Sequence, residues 1–146
     1  MRWSKATRFA LHAALELARA GGERVTTQQI ADTYEISLNH LAKVMGQLVR
    51  AGIARGVRGV GGGYRLARDP ARITLLDVVE AVEGPPATGC SVRDDGAGCR
   101  APCSLRPELD EIEAYAAQRL KAVTLAQVAV APPKAPRRRG RKLPVR

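Results

Sequence analysis

The sequence predicts a mainly α fold with a small β-wing: a winged helix-turn-helix domain followed by a long C-terminal dimerisation helix. Three observations predict it, namely two capped helical patterns in succession, a glycine run between two short strands, and an apolar stripe on a late helical segment. At 146 residues the chain suits one domain with extensions. We expect a regulator domain over residues 1–130 and a disordered basic tail over 131–146.

The first helix is predicted from Ser4 to Ala20, where Gly21-Gly22 ends it. Apolar side chains occur around most of its circumference, which predicts a largely buried helix. The apolar residues are Phe9, Leu11, Ala13, Leu15 and Leu17.

Two further helices form the helix-turn-helix. Thr26 stands three residues before Gln29, a capping-box spacing that starts a short helix with Ile30 and Ala31. Ser37 is predicted to cap the next helix, which stops near Gly52. Its expected inner face is Leu38, Leu41, Val44, Met45 and Leu48. A turn of a few residues joins the two helices, as in a helix-turn-helix.

A wing is predicted over residues 53–67. Segments 53–58 and 64–67 are short strand candidates, and the glycine-rich segment 59–63 between them permits positive backbone φ. The strands would present Arg55, Arg58 and Arg65. The glycine run lacks the Lys-Ser/Thr of a phosphate-binding loop.

Beyond the wing, Thr74 opens another capped helix that carries Val78, Val79, Ala81 and Val82 and closes at Gly84. A cysteine loop over 85–106 follows, and then a dimerisation helix over 107–123. An apolar stripe runs along that helix through Leu109, Ile112, Ala116, Leu120 and Val123. One stripe on a long final helix suits pairing with a second copy. The alternative is packing against the first helix of the same chain.

The net charge of +10 is unevenly distributed. Residues 1–68 carry 11 basic and 4 acidic groups, residues 69–131 carry 6 and 10, and residues 132–146 carry 7 and none. This pattern predicts that the N-terminal half meets a polyanion. No apolar run suits a membrane span and no signal-peptide core is present, so we expect a cytoplasmic, nucleoid-associated protein.

The second helix of a helix-turn-helix enters the major groove, which predicts base contacts from Asn39, His40, Lys43 and Gln47. An arginine held by a glycine loop suits a narrow minor groove, which favours Arg58. The full set of predicted DNA contacts is Thr27, Gln28, Ser37, Asn39, His40, Lys43, Gln47, Arg55, Arg58, Gly62 and Arg65. The alternative for each is an ordinary solvated residue.

Cys90, Cys99 and Cys103 are the only cysteines and lie within one short stretch. An odd, clustered set of thiols indicates a metal or redox site rather than a disulfide framework. Soft thiolates suit an iron–sulfur cluster, [2Fe-2S] or [4Fe-4S], or zinc, and three of them leave one coordination position open.

Four segments resemble the winged-helix regulators of the Rrf2 family, which include the iron–sulfur sensors of the IscR, NsrR and RirA groups. They are Ile36 to Val44, Arg58 to Leu66, Ile73 to Glu83 and Cys90 to Leu105. The reading helix is most similar to the NsrR branch. The resemblance implies a homodimer on a pseudo-palindromic operator, with the long helix at the dimer axis. It also implies a cluster-dependent repressor that senses nitric oxide, redox state or iron–sulfur status.

The resemblance also bears on the fourth cluster ligand. Some relatives use a carboxylate near the eighth position of the partner's first helix, but here Arg8 stands there and cannot ligate. His12 lies one helical turn further on the same face and is the predicted fourth ligand. Asp94, Asp95, a water or a thiol are alternatives, and a packed core histidine is the other reading of His12. The cysteine spacing departs from the more even gaps common in the family.

The tail from Pro132 to Lys142 cannot bury a core. Its Arg138, Arg139 and Arg141 resemble an AT-hook that inserts arginines into the minor groove, and the alternative is a non-specific electrostatic arm. A cluster-free thiol-switch or zinc-stabilised repressor is the alternative function, and a protein-docking subunit is a further one. Catalysis is not expected, because no nucleophile has a matched base.

Overall fold

Six helices and a two-stranded sheet make up the part of the chain, residues 3–85 and 104–130, that a computed structural model describes. The helices are α1 (Lys5–Arg19), α2 (Thr27–Tyr34), α3 (Leu38–Arg50), α4 (Leu75–Glu83), α5 (Leu105–Lys121) and α6 (Leu125–Val128). The strands β1 (Ala54–Val57) and β2 (Gly63–Leu66) are antiparallel, and a 3-10 turn spans Pro70–Arg72. The predicted fold class, mainly α with a small β-wing, is confirmed.

Helix α1 buries one face rather than most of its circumference, which corrects the sequence prediction. Ser4 caps it, since its side-chain oxygen accepts a hydrogen bond from the Thr7 backbone amide at 3.1 Å. Phe9 is only half-buried and His12 is exposed. The buried face is Thr7, Ala10, Ala13, Ala14, Leu17 and Ala18. The outward face therefore remains available to other molecules.

The helix-turn-helix begins with the predicted capping box. The Gln29 amide donates to Thr26 Oγ1 at 3.1 Å, and the Thr26 amide donates to Gln29 Oε1 at 2.8 Å. Glu35 takes a left-handed conformation, φ 54°, and so ends α2. Ser37 is the N-cap residue of α3 but makes no side-chain capping bond, and Leu38 is 45% exposed. Both points correct the prediction for the start of α3.

The wing is held by main-chain pairing on both sides of β2. The register places Ala54 opposite Leu66 and Arg55 opposite Arg65. On the other edge of β2, Val25 and Tyr64 exchange two backbone hydrogen bonds of 2.8 Å each. The segment before α2 therefore serves as a third strand-like neighbour of the wing.

The C-terminal half differs from the prediction at its helix ends. Thr74 and Asp77 form a capping box for α4. Helix α5 spans Leu105–Lys121 rather than 107–123, and α6 follows after a second capping box between Thr124 and Gln127. Leu125 N donates to Ile73 O at 2.8 Å, which ties α6 to the segment before α4.

The core lies where α1, α3, α4 and the buried residue of α6 meet. Its largest fully buried side chains are Leu17, Ile30, Leu41, Met45, Leu48, Ile53, Ile73, Val78 and Leu125. Among the described residues, no helix is both long and apolar enough to cross a membrane. The predicted ligands Cys90, Cys99 and Cys103, the residues Asp94 and Asp95, and the basic tail lie outside the described residues.

Candidate nucleic-acid interface

The outward face of α3 carries the predicted reading residues. Asn39, His40 and Lys43 are exposed, whereas Leu41, Met45 and Leu48 on the opposite side pack into the core. Gln47, one turn further along, is half-buried. The amphipathic pattern of α3 thus orients the first three side chains away from the protein.

The start of α2 lies beside the wing. A cleft of ≈ 480 Å³ is lined by Thr27, Val57, Arg58, Gly62 and other wing residues, so it brings together three of the predicted contacts. Gln28 is exposed, and its amide nitrogen donates to Asp32 Oδ1 at 2.6 Å. Ser37 is exposed at the start of α3.

Two arginines lie directly opposite each other across the wing. Arg55 on β1 is the register partner of Arg65 on β2, and like charges in this arrangement destabilise a sheet. Arg65 is half-buried, and its Nε is buried without a hydrogen-bond partner. Neither arginine has a carboxylate partner among the described residues. An external anion beside the two guanidinium groups would offset their like-charge opposition.

Arg24 supports the tip of the wing, and the sequence analysis did not identify it. Its Nη1 donates to the carbonyl of Val60 at 3.2 Å and to the carbonyl of Gly61. Val60 itself is fully exposed, and Arg58 is exposed at the base of the tip. No local sequence signal marks Arg24, because its partners lie 36 and 37 residues away.

A second cleft, of ≈ 700 Å³, separates the start of α1 from the outward face of α3. We name it the α1–α3 cleft. Its walls are Lys5, Ala6 and Phe9 from α1 and His40, Ala42, Lys43, Val44, Gly46, Gln47 and Arg50 from α3. Three of the predicted base-contacting residues therefore face the same space as Lys5 and Arg50, two basic residues that the sequence analysis did not select.

His12 lies in a polar cluster between α1 and the end of α2. Its ring stacks on Tyr34, with 4.4 Å between centroids and a tilt of 34°. The Tyr34 hydroxyl donates to Glu16 Oε1 at 2.7 Å, and Arg19 Nη1 donates to the same oxygen at 2.9 Å. Burial, followed by the hydrogen bond to Glu16, raises the pKa of Tyr34 to about 12. His12 is thus neither buried nor in the core.

The start of α1 is also tied to the end of α4. Thr7 is fully buried, and its hydroxyl donates to Glu83 Oε1. This bond, with a second one from Ser4, lowers the pKa of Glu83 below its ordinary value. Glu83 is the last residue of α4, just before the segment that carries the cysteines.

The donor types suit the cofactor that the resemblance implies. No group of three His, Cys, Asp or Glu side chains that could hold a metal ion exists among residues 3–85 and 104–130. His12 is exposed and makes no hydrogen bond to another described residue, so its ring is free to approach a ligand site. Three thiolates with one imidazole form a set that suits an iron–sulfur cluster or zinc.

Comparison with known proteins gives one consistent family. The profile of Rrf2, described as an iron-dependent transcriptional regulator, matches residues 3–131. BadM of Rhodopseudomonas palustris, named as an HTH-type transcriptional regulator, is 46% identical over 116 residues, which are 77% of this chain and 72% of BadM.

Two further proteins are similar over different extents. The HTH-type transcriptional regulator IscR of Cereibacter sphaeroides is 38% identical over 86 residues, 57% of this chain and 56% of its own. The solved structure of CymR, the global cysteine regulator of B. subtilis, superposes with a TM-score of 0.73 at 27% identity. That superposition covers 91% of this chain and 99% of CymR.

Proposed function

Because this chain belongs to the Rrf2 family of transcriptional regulators, which are DNA-binding proteins and not enzymes, we propose that it is an iron–sulfur-dependent repressor. It binds a pseudo-palindromic operator as a homodimer. Nitric oxide, redox state or iron–sulfur status controls its affinity for that operator. A location in the cytoplasm, at the nucleoid, belongs to the same proposal.

The paired arginines of the wing carry the DNA part of the proposal. Arg55 and Arg65 repel each other across the strands, and the buried Nε of Arg65 lacks a partner. A fold without an anionic partner would gain stability by replacing one of them. A DNA phosphate beside the two guanidinium groups would offset their repulsion, and it would anchor the wing beside the groove.

The reading helix supplies the base contacts. Asn39 can pair bidentately with adenine, and Lys43 can donate to guanine or to a phosphate. Arg58, at the base of the wing tip, suits a narrow minor groove. The predicted contacts Thr27 and Gly62 line the cleft between α2 and the wing, where backbone contacts with DNA would fix the register.

Cys90, Cys99, Cys103 and His12 would hold the cofactor. When bound, an iron–sulfur cluster supplies a redox-active and nitric-oxide-reactive centre whose presence favours one state of the protein. His12 stacks on the last residue of α2, so its position is coupled by contact to the helix-turn-helix. Gain or loss of the cluster would thus shift the population between two states of the dimer, which differ in the spacing of the two reading helices.

A cluster-free repressor is the second candidate. Its support is the likeness to CymR, which is called a global cysteine regulator. In this version the three thiols oxidise reversibly or bind zinc. Iron and sulfide analysis with the visible absorption of anaerobically purified protein separates the candidates, because zinc and plain thiols are colourless.

The DNA part is tested by selecting bound duplexes from a random-sequence pool with the full chain, followed by titrations at several salt concentrations. Asn39→Ala should relax the selected sequence at particular positions. The double substitution Arg55→Ala/Arg65→Ala should lower the affinity for all duplexes alike. It should also reduce the magnitude of the slope of log affinity against log salt concentration by roughly 0.9 for each phosphate that the variant no longer neutralises. Lys121→Ala, at the far end of α5, is the control. A pool that yields no bound duplex at low salt would refute the proposal.

A further inference from the structure

The α1–α3 cleft has an apolar floor that DNA binding does not explain. Ala6, Phe9, Ala42 and Val44 contribute to its walls, and the volume of ≈ 700 Å³ falls within the range of small-molecule sites. Phosphates and sugars of a duplex gain nothing from an aromatic ring at the bottom of a cleft. Covering an apolar surface of this kind with an apolar group is favourable, because it removes both apolar surfaces from water.

Gly46 keeps the cleft open at a cost to α3. It lies inside the helix without a positive φ, and a Cβ added there would meet only Arg50 Nη1, at 3.7 Å. Neither the backbone conformation nor packing against the described residues therefore requires glycine, which destabilises a helix interior relative to alanine. Larger side chains at Gly46 and Ala42 would fill the space.

The rim of the cleft is positively charged. Lys5, Lys43 and Arg50 line it together with His40, and no residue of the described chain that lines it is acidic. A cation would be repelled here, and an uncharged molecule would leave the basic groups without a partner. The charge therefore complements an acidic group attached to an apolar body.

We propose that the α1–α3 cleft binds a small organic anion, an aromatic or aliphatic body of one or two rings' size with one acidic group, and that this ligand excludes DNA. The apolar body lies on Phe9, Ala6 and Ala42, and the acidic group faces Lys5 and Arg50. The ligand thereby covers His40, Lys43 and Gln47, which are proposed to contact bases. The exclusion of DNA rests on these proposed base contacts, whereas binding of the ligand in the cleft depends neither on them nor on a metal cofactor.

Ligand and DNA must then weaken each other's binding by the same factor, since they compete for one surface. The ligand would release the protein from its operator independently of the cysteines. A second copy of this chain in the cleft is the competing occupant, and it would make ligand affinity fall as protein concentration rises.

Two dyes that share their rings test the site on the folded full chain. Anilinonaphthalene sulfonate carries the acidic group, and phenylnaphthylamine is the same ring system without it. The sulfonate should bind with one dye per chain and about tenfold more tightly than the neutral dye, at any protein concentration. Equal affinities, or no saturable binding of the sulfonate, would overturn the proposal.

Substitutions at one position separate filling of the cleft from a change in α3. Gly46→Ala should keep the dye affinity and raise the melting temperature, because alanine favours the helix. Gly46→Leu should lower the affinity for the sulfonate dye about tenfold, because the leucine side chain would occupy the floor of the α1–α3 cleft. Equal affinity of both variants would exclude the α1–α3 cleft as the dye site.

The charge of the rim is tested separately, so that the outcome does not depend on the folding of Gly46→Leu. Lys5→Glu should lower the affinity for the sulfonate dye several-fold and leave the affinity for the neutral dye unchanged. Lys121→Glu on α5 should change neither affinity. An excess of duplex DNA at low salt should displace the sulfonate from the native chain. Undiminished dye fluorescence with DNA bound would refute the mutual exclusion, even if the DNA-binding proposal itself held.

Discussion

At the scale of single residues, Tyr34 joins α1 to the helix-turn-helix through one shared carboxylate. Its hydroxyl donates to Glu16 Oε1 at 2.7 Å, and Arg19 donates to the same oxygen at 2.9 Å. The ring of His12 packs against the Tyr34 ring, with 4.4 Å between the two centroids. The proposed cluster ligand is therefore in contact with the residue that ends α2.

Tyr34→Phe should lower the free energy of unfolding by about 1 kcal/mol at neutral pH, because it removes a hydrogen bond to a charged group. The folded-state pKa of Tyr34, about 12, lies above its ordinary value of 10.0. This contribution to stability is therefore complete below pH 10 and is lost as the pH rises towards 12. Urea unfolding of both proteins over that pH range measures it.

The control for Tyr34→Phe is Gln118→Ala, at an exposed residue of α5 outside its apolar stripe, which should leave the stability near its original value. A difference between native protein and Tyr34→Phe that stayed constant from neutral pH to pH 12 would contradict the assigned hydrogen bond.

The wing glycines differ in the space around them, and Gly63 is the most constrained. A Cβ at Gly63 would lie 2.6 Å from the Val25 carbonyl oxygen, whereas a Cβ at Gly56 would meet nothing within 4 Å. The close approach allows the bridge between Val25 and Tyr64 that attaches the wing to α2.

Gly63→Ala should destabilise the protein by about 1–3 kcal/mol, the usual cost of overpacking, and should weaken DNA binding with it. Gly56→Ala is the matched control and should leave the melting temperature almost unchanged. Calorimetric melting of the two variants compares them directly. Equal melting temperatures would mean that the wing does not depend on this close approach.

At the scale of elements, α5 is the helix that the described chain leaves least covered. None of its residues is buried, although Leu105, Leu109, Ile112 and Tyr115 are large, apolar and exposed. These residues follow helical spacings of three and four, so they form one stripe. Exposing this stripe to water is unfavourable, and pairing of two copies through α5 would bury it. The stripe therefore supports the proposed homodimer.

Ile112→Glu should convert the dimer into a folded monomer, because the side chain is 58% exposed and contributes little to the core of one chain. Ala114→Glu, on the opposite side of α5, is the control and should remain dimeric. Sedimentation velocity distinguishes the species. A native chain that sediments as a monomer would contradict the homodimer.

The elements that the sequence predicts correctly are those with local signals. The capping boxes that begin at Thr26 and Thr74 each mark a helix start by a pattern only four residues long. The glycine run likewise marks the turn between the two strands. Helix α6 was missed although Thr124 and Gln127 carry the same capping spacing, because the apolar stripe of α5 suggested one continuous helix through residue 123. The partial exposure of α1 was missed because burial depends on tertiary neighbours.

The candidate interface was predictable only in part for the same reason. Asn39, His40 and Lys43 follow from the helix-turn-helix pattern, and the structure describes all three as exposed. Arg24 contacts a segment distant in sequence, and Lys5 and Arg50 line one cleft only because the fold brings α1 and α3 together, about which periodicity carries no information. The opposition of Arg55 and Arg65 depends on the strand register, which composition does not specify.

At the scale of the whole molecule, the basic charge is concentrated in residues 1–68 and in the tail. Residues 132–146 add 7 basic groups without an acidic one. Deleting this tail should reduce the magnitude of the salt slope of DNA binding by at least about 1, because each phosphate contact releases counterions. Fluorescence anisotropy with one duplex at several salt concentrations measures the slope. An unchanged slope would exclude both the AT-hook and the electrostatic arm.

The central claim is that a cofactor held by Cys90, Cys99 and Cys103 controls how two copies bind a duplex. The most direct measurement is the affinity of anaerobically purified, full-length protein for its selected operator, before and after removal of iron, with iron and sulfide determined on the same sample. The account predicts stoichiometric iron and sulfide and at least a tenfold change in operator affinity, about 1.4 kcal/mol. Stoichiometric iron with equal affinity for the two forms, or a colourless and iron-free preparation, would contradict it.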